Sequence, residues 1–122
     1  MHRIIQADVF AGLNHLPDSS IDIAITSPPY YDQRDYEFEG QIGAETTHQQ
    51  YIGKLLTIFS LLRAKLKPHG VFFLNIGDKY LSKYGKTPLA MIPFKLAYFM
   101  VREGWVLSDT LIWYKPNHMP SS

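Results

Sequence analysis

Apolar residues recur along this chain in two rhythms, and the changes of rhythm divide it into elements. Arg3 to Ala7 is a short apolar run that predicts a strand. From Asp8 onward Val9, Leu13 and Leu16 share one helical face, until Pro17, Asp18 and Ser19 break the pattern as a turn. Ile21 to Thr26 (IDIAIT) is β-branched and almost wholly apolar, which is how a strand covered on both faces of a parallel sheet reads. The polar, glycine-containing stretch Ser27 to Glu45 predicts a loop, and loops of that length in compact domains usually carry function or are disordered. Thr46 followed by Gln49 is a capping-box pattern, after which Tyr51, Leu55, Ile58, Phe59, Leu62 and Leu66 repeat at helical spacing. Pro68, His69 and Gly70 end that helix, and Val71 to Ile76 predicts a second buried strand. Gly77 to Thr87 reads as another loop. Pro88 and Pro93 stand near the start of a helix running to about Glu103 and stopped by Gly104, and Val106 to Tyr114 predicts a further strong strand. Strands alternating with helices through short connections predict an α/β domain, a mostly parallel sheet flanked by helices.

Composition narrows the chemistry. With 122 residues, 46% of them hydrophobic and 19% charged, the chain is one domain that can bury a core without disulfides or a structural metal. It has no cysteine, which excludes cysteine-rich zinc sites and every mechanism with a cysteine nucleophile. His2, His15, His48, His69 and His118 are too scattered for metal-ligand spacing. Neither a GxSxG nucleophile elbow nor a phosphate-cradling GxxxxGK[ST] occurs. The strongly apolar stretch Leu55 to Leu62 falls far short of the ~18 residues of a membrane span. The first residues carry no apolar signal core. A cytoplasmic protein without a membrane partner is therefore expected. The net charge of +1 conceals a gradient, because residues 1–53 sum to −6 and the basic residues lie in the second half.

Sites in parallel α/β sheets lie beyond the carboxyl ends of the strands, where Ser27-Pro28-Pro29-Tyr30 follows the strand at 21–26. Two consecutive prolines fix two φ angles and remove two N–H donors, so the segment is stiff and presents its carbonyls without competing donors. A hydroxyl at Ser27, the Pro28 carbonyl and an aromatic plane at Tyr30 suit a planar ring that bears an exocyclic amino group. The amino nitrogen of cytosine or adenine is a poor nucleophile because its lone pair is delocalised into the ring. Two acceptors on its hydrogens favour pyramidal geometry and free that lone pair for an electrophilic methyl, which is catalysis by positioning and electrostatics. Methylation at cytosine carbon 5 through a thiolate is not open to a chain without cysteine. The plainer alternative for the tetrapeptide is a rigid loop exit with an exposed tyrosine.

The stretches TSPPYYDQRDYEFEGQIGAE, HQQYIGKLLTIFSLLRAKLKPHGVFFLNIGDKY and IPFKLAYFMVREGWVLSDTLIWYKPNHMP together resemble the catalytic half of the amino-group DNA methyltransferases that carry SPPY or DPPY. More narrowly they resemble the permuted group in which this half precedes the target-recognition region and the cofactor-binding glycine motif. The likeness covers almost the whole chain in order and spacing. It implies part of a Rossmann-like fold that uses S-adenosylmethionine, with DNA as partner. Ser27, Pro28, Pro29 and Tyr30 match the catalytic motif, whose implied role is hydrogen bonding to the target amino group while the aromatic ring stacks on the extruded base. Serine in the first position is typical of members acting on cytosine N4, and aspartate or asparagine of those acting on adenine N6. The resemblance therefore favours cytosine N4, with adenine N6 as the alternative.

The same resemblance suggests further contacts. Asp8, Ser27 and Asp78 are candidates for the cofactor, although Asp8 is equally readable as a helix N-cap. Tyr31, Arg34 and Tyr36 fall in the segment beside the base. Lys79, Lys83 and Lys86, interleaved with Tyr80 and Tyr84, suit phosphates and an unpaired base, or else form a solvated loop. Trp113, Lys115 and Asn117 match a segment bordering the base pocket, and Trp113 also reads as core. The glycines, at 12, 40, 43, 53, 70, 77, 85 and 104, contain no G-x-G, and the target-recognition region of the family is absent as well. The chain is thus read as the catalytic half of the enzyme. Unpaired sheet edges and an uncovered apolar face are expected to lead it to a homodimer or to a second chain carrying the cofactor half. A truncated remnant that binds DNA or a partner without catalysis is the alternative from outside the enzyme class.

Overall fold

The computed structural model describes residues 2–32, 40–82 and 85–117. Its elements are, in order, α1 (Val9–Asn14), β1 (Ile21–Thr26), α2 (His48–Lys65), β2 (Leu66–Leu74) and α3 (Ile92–Arg102). The α/β expectation holds in this form, as a two-stranded parallel sheet with helices against it.

The long helix α2 organises the core. Its stripe Tyr51, Ile52, Leu55, Ile58 and Phe59 is buried and meets Ile92 and Leu96 of α3. Phe59 meets Phe72 of β2 edge-on with ring centroids 4.9 Å apart, and Phe72 in turn tilts against Trp105 at 5.4 Å. The helix starts at Thr47, whose hydroxyl accepts from the Gln50 N–H at 3.1 Å. The expected cap at Thr46 therefore moves by one residue, because Thr47 and Gln50 repeat the spacing of Thr46 and Gln49. At the other end the Ala64 and Lys65 carbonyls accept from Ser19 N at 3.1 Å and Ser20 N at 2.9 Å. The turn that ends α1 thus satisfies carbonyls that a helix terminus leaves open.

β2 begins immediately after α2, at Leu66, and runs through Pro68 and Gly70, which the sequence reading treats as a break before a strand at Val71. The ladder explains the difference. Ile21 faces Leu66 but Ile23 faces Val71, so β2 bulges out by several residues over Lys67–Gly70. A bulge tolerates a proline that has no N–H to donate. A Cβ at Gly70 would lie 2.9 Å from the Lys67 carbonyl, so the bulge closes only on glycine. Beyond it the register is regular to Thr26 facing Leu74.

Two expected strands do not form among the described residues. Residues 3–7 carry no ladder, and Ile4 is 95% exposed. Residues 106–114 are likewise unpaired, and Ile112 is 90% exposed. Their composition is that of strands, but a strand exists only through the neighbour that takes its N–H and C=O groups, and none stands beside them. The helix expected up to Glu103 ends at Arg102, where Gly104 adopts φ +108 and Arg63 donates to the Glu103 carbonyl at 3.1 Å.

The sheet is covered on one face only. Phe72 and Leu74 turn toward α2, while Ile23, Ile25, Val71 and Phe73 are exposed on the opposite face, where the register sets Ile23 beside Val71 and Ile25 beside Phe73. Leu55, 1% exposed, sits at the centre of the covered side. Leu55→Ala is expected to lower the free energy of unfolding by about 2–5 kcal/mol in denaturant titration, the usual cost of a buried leucine cavity.

Candidate active site

Because β1 and β2 are parallel, their carboxyl ends leave the sheet side by side, and Asn75 N donates to the Thr26 carbonyl at 3.0 Å where they part. Ser27–Tyr30 leaves one strand and Asn75–Asp78 the other. Ser27 is exposed, Pro28 is buried, and Pro29 and Tyr30 are half-buried. The Ser27 hydroxyl and the Tyr30 phenol stand 3.5 Å apart, too far for a bond that would hold them together but close enough to address one small group.

Three contacts hold the corner in shape. The Tyr51 hydroxyl donates to the Pro29 carbonyl at 2.7 Å. Gly77 passes beneath the Tyr30 ring so closely that a Cβ would lie 3.0 and 3.1 Å from two ring carbons. Gly43, at φ +100, passes the Tyr30 carbonyl, where a Cβ would lie at 2.7 Å. Gly43 is itself tied down, since its carbonyl accepts from Asp32 N at 2.8 Å and its N–H donates to Glu45 Oε1 at 2.8 Å. Lys54, one helical turn beyond Tyr51, donates to the Gly40 carbonyl at 2.7 Å and pairs with Glu45 at 3.6 Å. One face of α2 therefore anchors both ends of the loop that leaves β1.

Burial pushes the Tyr51 phenol well above the usual tyrosine range, and the Glu45 carboxylate and Tyr30 add to the effect, so it remains a neutral donor. Tyr31 is shifted upward too, first by burial and then by Asp32 and Glu45.

A cleft of about 1770 Å³ opens beside the corner, walled by β2, α3 and the extended residues 105–113, and it is continuous with the uncovered sheet face through Val71 and Phe73. Of the candidates, Tyr30, Asp78, Trp113 and Lys115 border it. Asp78 has a divided role. Its Oδ1 accepts from Lys79 N at 2.8 Å and from Ile92 N at 3.1 Å, capping α3 in place of Met91, which provides no side-chain acceptor. Its Oδ2 is buried without a partner among the described residues.

The other candidates are dispersed. Asp8 caps α1, accepting from Phe10 N at 3.1 Å and Ala11 N at 3.3 Å. Tyr31 turns back toward α2, with its ring 5.7 Å from that of Tyr51 and its hydroxyl 3.3 Å from the Thr46 carbonyl. Lys79 pairs with Asp32 at 3.6 Å and bridges the two loops. Lys86 and Asn117 are exposed. Arg34, Tyr36 and Lys83 lie outside the described residues. Among the described residues, no group of three or more histidine, aspartate and glutamate side chains is placed to hold a metal ion. None of the helices described is long and apolar enough to cross a membrane.

Tyr51 was not legible as a site residue, whereas Gly43 falls in the loop segment that the resemblance sets beside the base. Tyr51 reads as the first member of an apolar stripe, and the only signal of a second role is that a tyrosine in such a stripe must find a partner for its hydroxyl.

A Ser-Pro-Pro-Tyr corner, two of its four residues without an N–H, thus stands at the carboxyl edge of a parallel sheet with Tyr30 on the cleft, and it is the motif on which the resemblance to amino-group methylases rests. The sequence profile of the N6/N4 family of DNA methylases matches residues 21–122, and the chain belongs to that family. It is 61% identical over 120 residues to the type II methyltransferase M.MwoI of Methanothermobacter wolfeii, covering 98% of this chain and 18% of that protein. It is 38% identical to M.SfiI of Streptomyces fimbriatus, over 90% of this chain and 29% of that protein. With M.SmaI of Serratia marcescens it shares 34% identity over 98% of this chain and 50% of that protein. The chain thus spans half or less of the length of these relatives. No solved structure matches it.

The closeness of Gly77 to Tyr30 gives a direct test of how the ring is held. Gly77→Ala is expected to displace the ring and to cost about 1–3 kcal/mol of stability in thermal or denaturant unfolding, as overpacking does.

Proposed function

We propose that this chain is the catalytic part of a DNA methyltransferase that acts on the exocyclic amino group of a base extruded from the duplex, with cytosine N4 as the target. The observation that carries the reading is the corner itself. An exposed hydroxyl and a phenol 3.5 Å apart stand at the end of β1 on either side of two prolines that carry no N–H, and the phenol's residue borders the cleft. Ser27 Oγ and the Pro28 carbonyl accept the two amino hydrogens, which holds the nitrogen out of conjugation. The Tyr30 ring, fixed from below by Gly77, offers the stacking plane that offsets part of the few kcal/mol needed to take a base out of the stack. Serine at the head of the motif supports cytosine over adenine.

The residues present fit S-adenosylmethionine at one point. Asp78 Oδ2 is a buried acceptor with no partner on the wall of the same cleft, suited to a hydroxyl or ammonium donor of the cofactor. Asp8 is a weaker candidate, since both its oxygens already serve α1. When bound, the cofactor supplies an electrophilic methyl on a sulfonium. The part of the chain in the reaction is to hold the amino nitrogen still and pyramidal at the cleft, a contribution of positioning and electrostatics. Trp113, Lys115 and Lys86, all exposed, are the described residues best placed to meet DNA. Lys79 serves chiefly to bind the loops together.

The cofactor glycine motif comes from a further stretch of polypeptide that covers the outer sheet face. Ile23, Ile25, Val71 and Phe73 form an apolar patch there, and residues 106–114 are extended and without a ladder partner, both features that favour association. Phe73→Asp is expected to prevent assembly with such a segment in sedimentation while the isolated chain keeps its thermal midpoint within a few degrees, since Phe73 is already half exposed.

Methyl transfer from labelled S-adenosylmethionine to DNA, followed by mass spectrometry of the nucleosides, tests the reaction. N4-methylcytosine is expected from the assembled protein, and Tyr30→Ala should abolish it while leaving the unfolding transition in place. N6-methyladenine would move the target to adenine. Absence of any transfer with every complementary segment would leave a binding protein without catalysis.

A further inference from the structure

The corner cannot hold itself. Pro28 and Pro29 have no N–H, so neither can close a turn back onto the preceding carbonyls, and the Asp32 N–H that a turn would offer the Pro29 carbonyl goes to the Gly43 carbonyl at 2.8 Å. The Pro29 carbonyl accepts instead from Tyr51 Oη–H, 22 positions along the chain and 2.7 Å away. Tyr51 is 0% exposed in the first turns of α2, packed among the core residues and against the Tyr31 ring. Its ring is therefore immobilised by the same packing that assembles the fold, and its hydroxyl is a fixed point on the rigid scaffold. The accepting carbonyl belongs to the peptide that joins Pro29 to Tyr30. Holding that plane sets both neighbours at once, the carbonyl of Pro28 on one side and the ring of Tyr30 on the other.

We propose that Tyr51 is a positioning residue for methyl transfer, whose hydroxyl fixes the plane of the Pro29–Tyr30 peptide and so aims the Pro28 carbonyl and the Tyr30 ring at the target amino group. The proposal rests on the reading of the corner as the amino-group site. Gly77 and Gly43 complete the arrangement, since they admit backbone within van der Waals reach of the Tyr30 ring and carbonyl, and so leave the Tyr30 peptide confined on three sides. Tyr51 touches neither base nor cofactor in this arrangement. Removing its hydroxyl lets the peptide plane rock without opening the core, because phenylalanine fills the same volume.

The test uses Tyr51→Phe in the full 122-residue chain and in its methyl-transferring assembly. Pro29–Tyr30 is the only Pro–Tyr step in the sequence, so labelling proline carbonyl carbons with ¹³C and tyrosine nitrogens with ¹⁵N isolates one cross-peak from this chain that reports the accepting carbonyl itself. Tyr51→Phe is expected to move that carbonyl resonance upfield. In the assembly it should lower kcat on the order of 10- to 100-fold while KM for DNA and for S-adenosylmethionine stay within about twofold, the signature of lost alignment and not of lost binding. Thr57→Val, which removes another hydroxyl bond of α2 at 3.1 Å from the Gly53 carbonyl, serves as the stability control and should move neither the cross-peak nor kcat. A cross-peak unmoved by Tyr51→Phe would overturn the proposal, as would a moved cross-peak with kcat unchanged. An inactive unmutated assembly would instead sink the methyl-transfer reading and the kinetic consequence with it, while the resonance still decides whether the hydroxyl holds the corner.

Discussion

The burial of one face of α2 is the constraint on which the other features depend. Its stripe packs on Phe72 and Leu74 of β2 and receives α3, and the parallel ladder to β1 then sets the two carboxyl ends side by side. Burying an aliphatic or aromatic side chain is worth about 1.5–3 kcal/mol, so five such residues on one helix outweigh any local preference in the loops around them. The stripe also reaches beyond the core. Its first member ends in a hydroxyl, and that hydroxyl meets the Pro29 carbonyl of the double-proline corner. Core and site are thus two ends of the same side chain.

This coupling explains how a segment outside regular secondary structure can be rigid. The loop from Ser27 to Glu45 would ordinarily be the least stable part of the molecule. Its described parts are held instead by Tyr51 at Pro29, Lys54 at Gly40, Lys79 at Asp32 and a glycine pressed against Tyr30. Each attachment uses a backbone carbonyl or a close approach, so the Ser27 side chain stays exposed and Tyr30 stays on the cleft. The carboxylate of Asp78 follows the same economy. One oxygen caps α3 and fixes the loop, and the other is buried without a partner among the described residues.

The uncovered half of the sheet has the opposite character. Residues 106–114 have the composition of a central strand and the exposure of a surface loop, and the outer face of β1 and β2 is as apolar as its inner face. Single exposed apolar residues are ordinary, but a contiguous set on a sheet face is not. The relatives in which this sequence accounts for between 18% and 50% of the length carry far more polypeptide than the described fold contains.

Local pattern was enough for some of this and not for the rest. The helical period from Tyr51 to Leu62, the apolar run at 21–26 and the Ser-Pro-Pro-Tyr sequence are properties of neighbouring residues, and α2, β1 and the corner follow from them directly. Asp8 as a cap is local in the same sense, since its partners are two and three residues away. Strand pairing is not local. Residues 3–7 and 106–114 have strand composition but lack neighbours to pair with, and Pro68 and Gly70 became part of β2 because the ladder could bulge around them. The donor for Pro29, the glycine beneath Tyr30 and the unpartnered oxygen of Asp78 are likewise contacts between residues distant along the chain. Composition and spacing therefore determined what this protein's segments are and what chemistry they can carry. Only tertiary packing decided which of them meet, because a hydrogen bond or a close contact depends on separation in space, and that is set by how the buried faces fit together.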